Sequence, residues 1–311
     1  MTAVSNRASV SALTAGPGSR WRKTKDRIAT GAMYAAFAVA LVPLVWLLYT
    51  VISKGWQAVT SSGWWGSDLR NKTFKDPGGG AWHAIVGTAE EVAICAIISV
   101  PIALMVAVYL VEYGHGLFAR VATFMVDILT GVPSIVAALF IYAVFFVKLG
   151  AKFAGIYASL ALVLLMIPVI VRTTEEMLKL VPNELREASY ALGVPKWKTI
   201  VRIVMPTALS GISTGIVLGI ARVAGETAPL LILVQYQQNT NYDPTSGFQG
   251  SLPLMIKDQV KNLGSSFSFT GAKVANYAPE RMWGAALTLI AIVMALNLIA
   301  RVIARFSKVN T

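Results

Sequence analysis

Six long apolar runs constrain this chain more than any other feature. Residues 28–52, 84–111, 118–147, 154–173, 207–235 and 282–304 are each long enough to cross a bilayer, which takes about 20 apolar residues. Hydrocarbon offers no water to an unpaired N–H or C=O, so apolar runs of this length predict helices. The expected fold class is an all-α membrane protein with six transmembrane helices. Composition agrees, since 56% of the 311 residues are hydrophobic and only 14% are charged. That balance is foreign to a soluble domain.

Charge then orients the spans. The chain starts with a tail, residues 1–27, that is Ser/Ala/Gly-rich and then basic through Arg20, Arg22, Lys23, Lys25 and Arg27. The following apolar run is too long for a signal-peptide core and reads as an uncleaved first span. With the tail inside, segments 1–27, 112–120, 172–206 and 301–311 are cytoplasmic and hold 16 Lys and Arg. The external segments 53–83, 148–153 and 236–281 hold 10. This bias obeys the positive-inside rule and places both termini in the cytoplasm. The predicted organisation is a basic tail (1–27), a first span with its external loop (28–83), a core (84–304) and a short cytoplasmic tail (305–311).

Several chemistries find no support. The net charge of +12 is distributed by membrane side rather than gathered on a nucleic-acid motif, so the expected surroundings are lipid and protein, not nucleic acid. Cys95 is a lone cysteine inside an apolar run and reads as an inert buried thiol. His83 and His115 have no partner at metal-ligand spacing, so no metal site is expected. The chain contains no Gly-Lys dipeptide and hence no Walker A loop. Of the external loops, 53–83 carries Trp56, Trp64, Trp65 and Trp82, a composition suited to the membrane–water interface. Loop 236–281 contains SLPLMIKDQVKNL, which predicts a short amphipathic helix lying on the outer surface.

The polar stretch 184–206 lies between the fourth and fifth spans. Asn183 is a candidate N-cap, and the helix it opens is expected to stop at Gly193, where the backbone can turn with positive φ. Val194-Pro195 starts a second amphipathic segment carrying Lys196, Trp197, Lys198 and Arg202, with its end at Met205-Pro206. Two ordered helices in a cytoplasmic loop point to a docking site.

Five ionisable residues fall inside spans, where each is costly and therefore a functional candidate. For Glu90, Glu91 and Asp127 a hydrogen bond to a neighbouring helix or to interfacial water is the favoured reading. Arg222 and Glu226 lie one helical turn apart near the middle of span five, on the stripe of Gly211, Gly215 and Gly219. That stripe predicts a close helix contact ending in a buried ion pair, either structural or a gate on a solute path. Gly225 and Pro229 are expected to loosen the helix there. A guanidinium at mid-membrane disfavours cations and matches the oxygens of carboxylate or phosphate. Glu226 adds a proton acceptor suited to a P–OH group, which phosphate carries at neutral pH and sulfate lacks.

Glu187-Ala188-Ser189, Gly193 and Ile203-Val204-Met205-Pro206 are spaced as in the EAA loop of ABC-importer permeases, with Ser189 for the second Ala and Met205 for the usual Leu. Arg222-Val223-Ala224-Gly225-Glu226-Thr227-Ala228-Pro229-Leu230-Leu231 resembles the Arg-x-x-Gly-Glu-Thr-Ala-Pro segment of phosphate importers of that class. Leu129–Val136 and Pro168–Glu175 resemble the same family, and Ala228-Pro229-Leu230-Leu231 suits its PstA half better than PstC. The resemblance covers about residues 84–300. It implies an ABC type-1 (MetI-like) permease core whose coupling loop docks on an ATPase through Glu187, Ala188, Gly193 and Pro206. It further implies that Arg172, Arg222, Glu226 and Thr227 line or gate the path. The implied partners are a homologous PstC-type permease, a PstB-type ATPase dimer that binds ATP and Mg, and an external PstS-type binding protein, with no cofactor in this chain. From the residues alone, Arg172 also reads as a snorkelling anchor. The other readings left open are a sulfate, molybdate or amino-acid permease of the same fold, an ATP-independent carrier or channel, and a non-transporting scaffold.

Overall fold

The computed structural model describes residues 18–264 and 275–306. Residues 1–17 of the basic tail, 265–274 of the second external loop and 307–311 of the C-terminal tail lie outside the described residues. The first helix, α1, spans Gly18–Thr60, so the basic anchor is helical from Gly18 onward. Residues up to Ser53 form a unit of their own. Large apolar side chains such as Phe37, Val39 and Trp46 are exposed around that unit, as on a lipid-facing span.

The second unit, from Lys54 onward, is built on three packed helices. Helix α2 (Trp82–Val108) widens into a π-helical turn, Tyr109–Tyr113. Helix α5 (Gly155–Lys179) is the most buried candidate span. Helix α8 (Met205–Ala224) crosses α5 through its glycines. A Cβ at Gly211 would meet Met177, one at Gly215 would meet Thr173, and one at Gly219 would meet Ile170 and Met166. The predicted glycine groove is therefore filled by α5. Between them, Cys95, Leu162, Leu165, Met166, Ile170 and Val223 form the main apolar core.

Two of the predicted spans are not single straight helices. Run 118–147 divides into α3 (Gly116–Gly131) and α4 (Ser134–Ile141), bent by 108° and extended by π-helical turns at Tyr142–Lys148. The break falls at Val132, the residue before Pro133, where the α conformation is sterically disfavoured. Run 207–235 also breaks. Helix α8 ends at Ala224, and α9 (Ala228–Leu233) follows after Gly225-Glu226-Thr227. Among the described residues, five helices are long and apolar enough to cross a membrane, or six if the bent α3–α4 pair counts as one span.

The described parts of loops 53–83 and 236–281 pack onto the spans rather than lying on the surface. Trp64, predicted at the interface, is 1% exposed and donates from Nε1 to Thr288 Oγ1 on α11 (Ala278–Phe306). Trp56, Trp65 and Trp82 stay exposed. Helix α10 (Leu252–Lys261) forms where predicted, yet it is inserted, with Leu252, Leu254 and Met255 buried against α11 and α2. Its Pro253, near the N-terminus where no intrahelical N–H bond is lost, also packs inward. Just before it, Gly87 and Gly250 bring two backbones together, and Thr88 Oγ1 accepts from the Leu252 N–H.

Candidate functional site

The polar residues gather at two levels. Gly219 lies against Ile170 and Met166, near the middle of α5, so Arg222, one turn further along α8, is level with the middle part of α5. Arg222 is exposed on this chain, and Glu226 and Thr227 are half-buried. Arg222 and Glu226 are not the ion pair that the spacing predicts. Among the described residues no hydrogen bond or ion pair joins them. The reason is local: the helix stops at Ala224, and Gly225 (φ −94°, ψ −3°) takes Glu226 out of the i, i+4 relation. Gly225 and Pro229 were signals of that break. The backbone carbonyls the break frees are partly used again, since the Gly225 N–H donates to the Arg222 carbonyl and the Glu226 N–H to that of Val223.

Arg172 lies roughly 10 Å further toward the C-terminal end of α5, by the 1.5 Å helical rise. It is more than a snorkelling anchor. Its guanidinium pairs with Asp127 of α3 and donates from Nη1 to Glu175 Oε2 at 2.8 Å, while Lys179 Nζ is 3.7 Å from the same carboxylate. Glu175 is buried. Asp127 thus has the neighbouring-helix partner that its position in a span calls for. These groups border a cavity of about 650 Å³ between the start of α3 and the end of α5, which Arg120 and His115 also line.

Loop 184–206 is ordered as two helices. Helix α6 (Asn183–Ala191) is followed by Gly193 at φ +76°, the left-handed turn expected there. Helix α7 (Lys196–Thr199) does not end before Met205-Pro206. It passes through a π-helical turn, Ile200–Val204, into α8, so residues Lys196–Ala224 form one continuous helix. The wide turn accommodates Pro206, which in a regular helix would clash with the carbonyl four residues before it. Ser189 and Thr199, both buried, hydrogen-bond at 2.8 Å and lock α6 to α7. Glu187 and Ala188 are exposed, as are Leu185, Leu192 and Trp197, leaving an apolar surface on the loop.

One group was missed from sequence. Arg186 Nη2 donates to Glu112 Oε1 at 3.0 Å, with side chains only 13% and 5% exposed. The two residues are 74 positions apart, and neither belongs to a run whose periodicity pairs them. The only signal was an acidic residue, Glu112, at the end of an apolar span.

A multi-span helical core, charged groups at two levels and an ordered polar loop between spans are the frame of a multi-pass membrane protein. Residues 99–308 match the family described as binding-protein-dependent transport system inner membrane component. The chain is 53% identical over 282 residues to the phosphate transport system permease protein PstA 1 of Mycobacterium tuberculosis (strain CDC 1551 / Oshkosh), covering 91% of this chain and 89% of that one. It is 38% identical to the PstA of Yersinia pestis over 91% of each chain. Among solved structures, a bacterial alginate ABC transporter crystallised with its pentasaccharide-bound periplasmic protein gives a TM-score of 0.62 at 13% identity, covering 94% of this chain and 99% of that one. The chain belongs to the binding-protein-dependent transport system inner membrane components, and within them to the PstA type.

Proposed function

We propose that this chain is the PstA-type permease subunit of an ATP-driven phosphate importer and forms half of the translocation path. The observation that carries the reading is the PstA identity of 53% across nearly the whole chain. The site chemistry agrees with it. Arg222 presents a planar fork of donors at mid-depth, unclaimed by Glu226, and Arg172 offers a second station toward the cytoplasm. Glu226 and Thr227, in the break between α8 and α9, supply an acceptor and a hydroxyl suited to the protonated oxygen of phosphate. A sulfate or molybdate permease, or an ATP-independent carrier, is not favoured, because the relatives at 35% to 53% identity are phosphate transport system permeases.

In this reading a PstC-type permease supplies the other half of the path. A PstB-type ATPase dimer holds ATP and Mg, and this chain hydrolyses nothing. Glu187, Ala188, Gly193 and Pro206 belong to the element that seats on the ATPase, and a PstS-type protein delivers phosphate from outside. Both termini are cytoplasmic, as the distribution of Lys and Arg supports. The test is ATP hydrolysis by the reconstituted complex, which phosphate-loaded binding protein should raise severalfold. Stimulation by sulfate-loaded protein alone, or none by either, would defeat the reading.

A further inference from the structure

We propose that Glu112 is a positioning residue through which span α2 is driven by the docking loop, an inference that rests on the assignment of that loop to the ATPase. Both loop helices grip this one residue. From α6, Arg186 donates to Glu112 Oε1 through Nε at 3.2 Å and Nη2 at 3.0 Å. From α7, the Lys196 ammonium donates to the Glu112 backbone carbonyl and sits 4.6 Å from the Tyr113 ring centroid. The carbonyl is available because a helix end leaves its last C=O groups without intrahelical donors.

Arg186 ties in a third element. It also donates to the carbonyls of Leu178 at 3.0 Å and Val181 at 2.6 Å, at the C-terminal end of α5. One guanidinium therefore fastens α2, α5 and α6 together, using donors in a fixed planar fork that a lysine lacks. The consequence is mechanical. The loop reaches α8 through continuous helix and α5 through Leu180–Pro182, whereas at the end of α2 its polar contacts gather on Glu112, beside apolar packing of Val204 with Leu104, Val108 and Val111. An apolar groove of about 300 Å³, lined by Val108, Tyr109, Ile200 and Met205, separates the two wide turns where α2 and the start of α8 face each other. Without the polar grip, only non-directional apolar packing would hold α2 to the loop, and α2 could slip as the loop moves.

The complete complex in proteoliposomes, with partner permease, ATPase and binding protein, tests this through the phosphate moved per ATP hydrolysed. Glu112→Gln keeps the shape and removes the charge. We expect the ratio to fall at least fivefold with the ATPase subunit still co-purifying. Glu112→Asp should recover part of it, and Glu112→Gln with Arg186→Gln should be no worse than either alone. A purely structural role would lower yield and melting temperature and leave the ratio intact, so a ratio within twofold of wild type in the assembled Glu112→Gln complex overturns the proposal. If Glu112→Gln does not assemble, Glu112→Cys with Arg186→Cys provides a second arm, read before and after a short bis-maleimide bridges the two positions. The bridge should restore the ratio, and an equal ratio with and without it overturns the proposal. A wild-type complex that moves no phosphate at all would instead defeat the cargo assignment, an outcome distinct from either.

Discussion

At Arg222, charge and shape can be separated by substitution. Arg222→Lys keeps a cation at mid-depth and loses the planar fork, so the protein should insert normally while phosphate uptake falls about tenfold, equivalent to about 1.4 kcal/mol. Arg222→Gln should abolish uptake. Because Glu226 is not its ion-pair partner, neutralising both residues should not restore transport. Radiolabelled phosphate uptake at matched membrane levels checks all three, and recovery in the double variant would mean the two charges compensate after all. Asp127 offers a contrasting case. Its pairing with Arg172 is half-open to solvent, so Asp127→Asn should cost under about 1 kcal/mol of stability. It should nevertheless shift the apparent KM for uptake, since it frees one side of the guanidinium. The identity of the charged candidates was legible in the sequence, because apolar surroundings make each one conspicuous. Their partners were not. Helical periodicity carried through Gly225 pairs Arg222 with Glu226, whereas the chain breaks there and Arg172 finds Asp127 across 45 residues.

Among the elements, the docking loop was read most fully. A helix, a Gly turn and a second helix follow from local turn and proline chemistry, but Pro182 rather than Asn183 is the N-cap, no side chain caps α6, and Asn183 Oδ1 accepts from Arg186 Nη1 instead. Gly193 adopts the positive φ its position calls for. Nothing lies within 4 Å of where its Cβ would stand, so substitution there is opposed by backbone conformation alone. Gly193→Asn should transport nearly as wild type, and Gly193→Val, with a β-branched residue at φ > 0, should lose about 1–2 kcal/mol locally and uncouple hydrolysis from uptake. Parallel uptake and ATPase assays decide it, and equal behaviour of the two variants would contradict the conformational account. The continuous helix Lys196–Ala224 was not foreseen, since Pro206 reads as a boundary until the wide turn that tolerates it is seen. On the external side, Asp243 accepts from the Ser246 hydroxyl and from the Thr245 hydroxyl and N–H, which holds its carboxyl below the usual range. The folded turn is thus favoured wherever an unfolded Asp would be ionised, and that advantage disappears as pH falls through the depressed value. The protection factor for hydrogen exchange at 243–246, taken against the intrinsic rate at each pH, should stay flat from about pH 7 to about pH 5 and fall only in stronger acid.

For the molecule as a whole, span number and fold class followed from apolar length, because a bilayer permits so few backbone solutions. What length cannot register is depth of insertion: Trp64 and α10 look interfacial by composition, yet both are packed inside because α11 and α2 leave room for them. The exposure of Arg222 has a further consequence for how cells count subunits. If the proposed partner permease covers Arg222, a copy synthesised without it leaves a guanidinium facing hydrocarbon, at a cost of about 3 kcal/mol on insertion scales. An orphan therefore carries its own mark of incompleteness, which membrane proteases that sample unstable helices can act on. Expressed alone, the chain should have a shorter half-life than in the complex, and Arg222→Leu should lengthen the orphan's survival while ending transport. Equal half-lives for the two orphans would place the mark elsewhere. The same charge would then serve twice, as a handle for the cargo and as a stamp that only assembly conceals.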